Sequence, residues 1–292
     1  MAASPQLIND CRVSDDYLIA NIVRIYKSLC ELECLKPSMH VNGLFTQLVK
    51  LCTLPSSIDI KLLSIELQQI RQDLIGICAR AEGLLELEFS TLLSKIPRPL
   101  NCLHLFPYYS NYIELAGLEY KLLTDHGLLQ PKRVAFVGSG PMPLTSIVLA
   151  TQHMLSTYFA NYDLDASAND MAQLLVSTDQ DLARRMAFRS CDIRNAREEL
   201  AEFDCIFLAA LVGMTKDEKV KILRHIGKYM KAGGFLLVRS ANGARAFLYP
   251  VVEDADLSSF RILQVFHPTN DVINSIIVAQ KPLSSDQLCD GQ

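Results

Sequence analysis

The stretch Arg133-Val134-Ala135-Phe136-Val137-Gly138-Ser139-Gly140-Pro141-Met142-Pro143-Leu144 decides the fold. Four consecutive apolar residues after Arg133 leave no polar face, so the spacing predicts a strand covered on both sides. Two glycines then make a tight turn, and a helix is expected from about Leu144. Working towards the C-terminus, strands are predicted at Ser156–Asp163, Ala187–Asp192, Phe203–Leu211, Phe235–Ser240, Phe260–Phe266 and Asn274–Gln280. Helical segments fall between them, at Asn169–Leu175, Asp181–Arg185 and from a Thr215/Glu218 capping box to about Met230. Strands alternating with helices imply a mainly parallel sheet with right-handed crossovers. The last two strands have no helix between them and suggest an antiparallel edge.

Working towards the N-terminus, the texture changes at Pro131. Leu18, Ile22, Ile25, Tyr26 and Leu29 make a helical stripe behind the capping candidates Ser14 and Asp15. Further helices are predicted over about Asn42–Leu51 and Ser57–Lys95, where Gly76 and Gly83 are expected to bend or divide the run. A last one runs from Ser110 or Asn111, with Asn111 and Glu114 spaced as a capping box, to Gly127. The reading is an α/β protein of two domains, a helical bundle over residues 1–130 and a Rossmann-like domain over 131–292.

The chemistry-bearing residues cluster at strand ends. Gly138 and Gly140 let the backbone approach a ligand at the carboxyl edge of the sheet. The third glycine of a dinucleotide fingerprint is absent, with Pro143 in its place. Asp163, followed by Asp165, ends the second strand, where an acid can accept hydrogen bonds from ribose hydroxyls. Asp192 ends the third, placed for an adenine amino group. Together these describe a nucleoside pocket. With an antiparallel last hairpin it fits S-adenosylmethionine better than a nicotinamide cofactor, and resembles the class I methyltransferase arrangement. The fourth strand, Phe207-Leu208-Ala209-Ala210-Leu211, carries no acid or acceptor-handling motif at its end. The reacting groups must therefore come from elsewhere, and the helical half is the candidate. There Glu82 is a carboxylate in an apolar helical run, readable also as a surface residue like Glu86 and Glu88. Tyr108, Tyr109 and Tyr112 cluster at a helix start, as hydroxyl donors or as an aromatic plug. Two polar loops follow late strands, Arg239 to Arg245 and His267 to Asp271.

Composition closes off other classes. At 50% hydrophobic and 21% charged, the 292 residues can bury a real core, which excludes a mainly disordered chain. A net charge of −4 with no Lys/Arg cluster argues against a nucleic-acid partner. The longest run free of Asp, Glu, Lys and Arg, Val134 to Tyr162, is broken by glycines and prolines, so no membrane span is expected. Nine scattered cysteines without a Cys-x-x-Cys pair read as free thiols in a reducing compartment, with no metal site. The first twelve residues carry no secretory or transit signal and the C-terminal Cys289-Asp-Gly-Gln292 no lipidation signal, which points to the cytoplasm.

The segments LFPYYSNYIELAGLEY, RVAFVGSGPMPLTSIVLA, DCIFLAALVGM, RSANGARAFLYP and HPTNDVINSIIVAQK, in this order and spacing, closely resemble plant-type nicotianamine synthase. The resemblance implies a helical domain over a methyltransferase-like Rossmann domain with a buried chamber between them. It implies joining three S-adenosylmethionine molecules into nicotianamine by 3-amino-3-carboxypropyl transfer, with release of three methylthioadenosines, and so a place in metal homeostasis. S-Adenosylmethionine is then the substrate, and no cofactor is expected. Glu82 falls where the family places its catalytic carboxylate, and Tyr108 or Tyr109 where it places its tyrosine. Gly138, Gly140, Asp163 and Asp192 match the S-adenosylmethionine contacts. Arg239 or Arg245 can hold a substrate carboxylate, and Asn270 is a further substrate-binding candidate. A homo-oligomer is compatible with the sequence. An ordinary small-molecule methyltransferase, a non-enzymatic S-adenosylmethionine-binding scaffold and, disfavoured by Pro143, a dehydrogenase remain as alternatives.

Overall fold

The computed structural model describes residues 13–283, so the readings made on the two chain ends lie outside the described residues. Eight α-helices are described: α1 (Asp15–Cys30), α2 (Met39–Thr53), α3 (Ile65–Leu93), α4 (Tyr109–Asp125), α5 (Leu144–Val148), α6 (Ala166–Val176), α7 (Gln180–Arg185) and α8 (Lys216–Tyr229). The strands are β1 (Arg133–Val137), β2 (Tyr158–Asp163), β3 (Met186–Ser190), β4 (Cys205–Leu208), β5 (Phe235–Ser240), β6 (Arg261–Phe266) and β7 (Ser275–Gln280).

Local chemistry sets the helix starts. Ser14, Ser38 and Ser64 each accept a backbone N–H from the first turn of α1, α2 and α3. The Thr215/Glu218 capping box opens α8 as predicted. Three expectations need correction. The helix predicted from Ser57 begins only at Ile65, because Ser64 is its cap and Asp59 holds a short 3-10 turn before it. Asn111 caps nothing: α4 starts two residues earlier, and Asn111 Nδ2 instead donates to Asp271 O at 2.7 Å. The glycines do not divide α3, which runs unbroken through both Gly76 and Gly83. Leu74, Ile75, Ile77, Cys78 and Ala81 are buried along it, and burial outweighs the ~1 kcal/mol that each glycine costs.

The seven strands form one sheet in the order β3-β2-β1-β4-β5-β7-β6. The first five are parallel, and β7 is antiparallel to both neighbours. The terminal hairpin is present, but β7 lies inside the sheet and β6 forms the edge. Burial explains the order: Ser275 to Ala279 are all buried, whereas β6 is mostly half-exposed. The apolar run in β1 is explained the same way. Val134 and Phe136 enter the core on one face, with α4 and α5, and Ala135 and Val137 the core on the other, with α8. A third core joins α1, α2 and α3 to Ala244, Phe247, Leu248 and Ile273 of the sheet half. Chain direction across the sheet reverses between β1 and β4, so their carboxyl ends open a crevice. The second half of α3 lies over it, with Ser90 Oγ in its last turn donating to Pro141 O at 2.9 Å.

Candidate active site

A cavity of about 1270 Å³ fills the space between α3, α4 and the carboxyl ends of β1, β2 and β4. Pockets for one drug-sized ligand run to about 300–1,000 Å³, so this one has room for more than one substrate unit. Its wall holds eight acidic residues, Glu82, Glu86, Glu114, Asp163, Asp165, Asp192, Glu218 and Asp271, against four basic ones, Lys50, Arg80, Arg194 and Arg239. Such a wall draws cationic molecules in.

One end is built from the sheet. Gly138 and Gly140 have φ of 84° and 63°, the left-handed region that a side chain resists. Gly138 N donates to Tyr162 O at 2.8 Å, and Gly140 N to Asp163 Oδ2 at 2.8 Å. Asp163 Oδ1 accepts the Asp165 N–H at 3.0 Å, so this carboxylate ties β2 to the glycine turn and keeps lone pairs free for a ligand. Asp165 is spent on capping α6 through Ser167 N and Oγ. Asp192 lies just beyond β3, in the cavity wall, where hydrogen bonds from Arg194 hold its carboxyl below the ordinary range. Ser139 Oγ and Asn274 Nδ2, both in the wall, are buried without a hydrogen-bond partner among the described residues.

The other end comes from the helices. Glu82 and Glu86 stand one turn apart on α3 and face the same space. Tyr249 Oη donates to Glu82 Oε2 at 3.1 Å. Tyr112 Oη donates to Glu86 Oε1 at 3.0 Å and lies 3.5 Å from Glu82 Oε1. Desolvation holds both carboxyls above the ordinary carboxylate range, Glu86 well above, and the charge of Glu82 adds to the effect on Glu86. Burial also raises the phenols, Tyr112 and Tyr249 strongly and Tyr108 less. Beneath them Arg239, on β5, donates through Nε at 2.7 Å and Nη2 at 3.0 Å to Glu119 of α4, and through Nη2 at 2.7 Å to Thr145 Oγ1.

Among the described residues no group of three or more His, Cys, Asp or Glu side chains is placed to hold a metal.

Residues 11–286 match the family model described as nicotianamine synthase protein. The chain belongs to the nicotianamine synthase family. It is 50% identical over 275 residues to nicotianamine synthase of Solanum lycopersicum, covering 94% of this chain and 87% of that protein. It is 50% identical over 271 residues to nicotianamine synthase 3 of Arabidopsis thaliana, at 91% and 84% coverage. A crystal structure of a mutant of MtNAS in complex with S-adenosylmethionine shares the fold, with a TM-score of 0.75 at 22% identity over 90% of this chain and 98% of that one.

In this nicotianamine synthase family member the structure brings Glu82, Tyr108, Gly138, Gly140, Asp163, Asp192 and Arg239 to one cavity. Three other candidates do not line it. Tyr109 is one residue on from Tyr108, about 100° further round the helical turn, and packs against the apolar core. Arg245 donates through Nη2 to Asn270 O at 2.7 Å, so this pair ties two loops together. Glu86, read beside Glu82 as a surface residue, is buried and joined to Tyr112, while Glu88 is exposed. Tyr112 was noted only as a member of the tyrosine cluster, and Tyr249 and Glu119 were not singled out. The four-residue spacing of Glu82 and Glu86 in an apolar helix was a usable signal. The pairings of Tyr249 across 167 positions and of Arg239 with Glu119 across 120 were not.

Proposed function

We propose that this chain condenses three S-adenosylmethionine molecules into nicotianamine within this cavity, by transfer of the 3-amino-3-carboxypropyl group. The observation that carries the reading is the Glu82 carboxyl, desolvated and held by two tyrosine hydroxyls in the same cavity as the glycine turn and Asp163. The donor's adenosine is assigned to the sheet end, its ribose to Asp163 and its adenine to Asp192. The sulfonium and the aminocarboxypropyl arm then point towards α3.

A sulfonium activates all three attached carbons, and the one held in line with the nucleophile reacts. The acceptor's α-amine is protonated near neutral pH and must lose a proton before it attacks. A carboxyl whose proton affinity is raised by burial suits that task at neutral pH. Glu82 is assigned as this base, Tyr249 and Tyr112 as the groups that orient it, and Tyr108 as a wall hydroxyl for the substrate. Among the described residues Arg239 Nη1 has no hydrogen-bond partner and is assigned to a substrate carboxylate, although Glu119 occupies the other edge of the guanidinium. The last step closes the four-membered ring by internal attack. Enclosure between the α3 layer and the sheet keeps intermediates in and water out.

The same reading divides the chain into a helical unit over 1–130 and a substrate-binding unit over 131–292, with the chamber between them. It needs no cofactor, because the substrate carries its own leaving group. The product bears several carboxylates and amines, a chelating donor set suited to a role in metal homeostasis. Seven free thiols among the described cysteines suit a reducing cytoplasm. No described helix is long and apolar enough to cross a membrane. Incubation of the purified protein with S-adenosylmethionine alone, followed by mass spectrometry, tests the reading. Nicotianamine and methylthioadenosine are expected without any added acceptor, and adenosylhomocysteine in their place would mean methyl transfer.

A further inference from the structure

Each transfer changes the charge in the chamber in a fixed way. The acceptor's N–H bond breaks and its proton goes to the base. The nitrogen lone pair forms the new N–C bond, the C–S bond breaks, and its electron pair stays on sulfur. One positive charge on sulfur disappears and one proton is left over, three times per nicotianamine. A single buried carboxylate that has taken a proton is no longer a base for the next transfer. A second proton-accepting group within reach resolves this.

The geometry points to Glu86 as that group: we propose that it takes the proton from Glu82 through the Tyr112 hydroxyl and discharges it at the donor turn. Tyr112 Oη lies between the two carboxyls, at 3.5 Å from Glu82 Oε1 and 3.0 Å from Glu86 Oε1. In the relay, Tyr112 Oη accepts the proton from Glu82 Oε1 as its own proton passes to Glu86 Oε1. Glu82 is again a carboxylate, Glu86 a carboxylic acid, and Tyr112 unchanged. The loss of the sulfonium charge is matched by the loss of one carboxylate charge, so the chamber keeps its balance.

The other edge of Glu86 explains the discharge. A Cβ added at Gly140 would stand 2.6 Å from Glu86 Oε2, so this oxygen rests against the glycine turn of the donor end. There the spent methylthioadenosine leaves, a new sulfonium enters and water gains access between transfers. Two like charges one helical turn apart on a desolvated wall disfavour each other, and because Arg239 is paired with Glu119 the bound sulfonium is the cation that compensates them, which couples the two carboxyls to donor binding. An incoming sulfonium favours ionised Glu86, and its conversion to a thioether favours the protonated form. Glu86 acts through Glu82 and is a positioning and relay residue. The inference rests on the assignment of Glu82 as base.

Methylthioadenosine release is followed in time for the parent, Glu86→Gln, Tyr112→Phe and the double variant. Glu86→Gln is expected to keep the first-turnover burst, since Glu82 and the hydroxyls that orient it are intact and can still accept one proton, and both single variants to lose on the order of 10² in steady-state rate. The double variant should lose no more than either single one. A second readout is calorimetric binding of a non-reacting cationic analogue, with an amine in place of the sulfonium, in buffers of different ionisation enthalpy. Proton release on binding is expected in the parent and absent in Glu86→Gln, which a purely structural role would not produce. Parental steady-state turnover in Glu86→Gln, loss of its burst, or multiplied losses in the double variant overturns the relay. If Glu86→Gln does not fold, Tyr112→Phe, which keeps the ring's packing, carries the steady-state arm of the test, and parental turnover in it overturns the relay. Failure of the Glu82 assignment is separate and shows as first-turnover activity in Glu82→Gln.

Discussion

Replacing Asp163 by alanine should weaken S-adenosylmethionine binding and loosen the glycine turn at once, and the two effects can be separated. The Asp163 carboxylate accepts two backbone N–H groups, from Gly140 at 2.8 Å and Asp165 at 3.0 Å. A hydrogen bond to a charged group contributes about 1.5–3 kcal/mol. Asp163 is only half-buried, so solvent screening brings the combined folding loss to about 1–2 kcal/mol, or a few degrees in Tm for a chain of this size. The ribose contact adds a charge-assisted bond seen only in binding, so affinity should fall about 10–150-fold. Asp163→Asn retains one acceptor oxygen for Gly140 N but loses the charge. It should recover much of the melting temperature and little of the affinity. Isothermal titration with S-adenosylmethionine and thermal melting of both variants measure the two terms. An unchanged dissociation constant in Asp163→Ala would refute the placement of the ribose at this strand end.

Glu82→Gln should abolish nicotianamine formation, with a rate loss on the order of 10²–10⁴ and S-adenosylmethionine affinity nearly intact; parental methylthioadenosine release from this variant would remove Glu82 as the base. Glu119→Gln breaks a fully buried ion pair with Arg239 while leaving the guanidinium in place, and should cost about 3–5 kcal/mol in urea unfolding; a change within error would show that the pair is not formed in solution. Lys219 is buried with Nζ on Ala210 O at 2.8 Å, and desolvation lowers its pKa from 10.5 to about 7. Between those two values the unfolded chain binds a proton that the native state does not, so this residue makes stability rise with pH across that window. Lys219→Met should flatten that rise in urea midpoints taken from neutral pH upwards, and an identical slope in both proteins would exclude a depressed lysine.

The sheet half was legible because its signals are local. A run such as Val134 to Val137 must be covered on both faces whatever packs there, glycine turns follow from backbone freedom, and the Thr215/Glu218 box needs only four residues. The helical half was legible as helix but not in its limits. Ser64 rather than Ser57 starts α3, because the capping oxygen has to meet an N–H three residues on, and several serines and an aspartate compete for that role. In the candidate site, Glu82, Gly138, Gly140, Asp163 and Asp192 could be singled out from their positions at strand ends or in an apolar helix. Tyr109, Arg245 and Asn270 could not be distinguished from residues that reach the cavity. A difference of one residue turns a helical side chain by about 100°, and an arginine in a polar loop has many acceptors within reach.

The sequence by itself determined the alternation of strands and helices, the glycine turn, the acids at the ends of the second and third strands, and through five ordered segments the family. Tertiary structure alone decided the state of the acids. Glu86 reads from the sequence as a surface residue and is buried in the protein because α3 crosses the mouth of the sheet, with Ser90 tied to Pro141. Tyr249 reaches Glu82, and Arg239 reaches Glu119, only once the helical layer closes on the sheet. Proton affinity in these groups depends on desolvation and on charges within a few ångströms, and both belong to the surroundings that folding assembles and not to the residue itself.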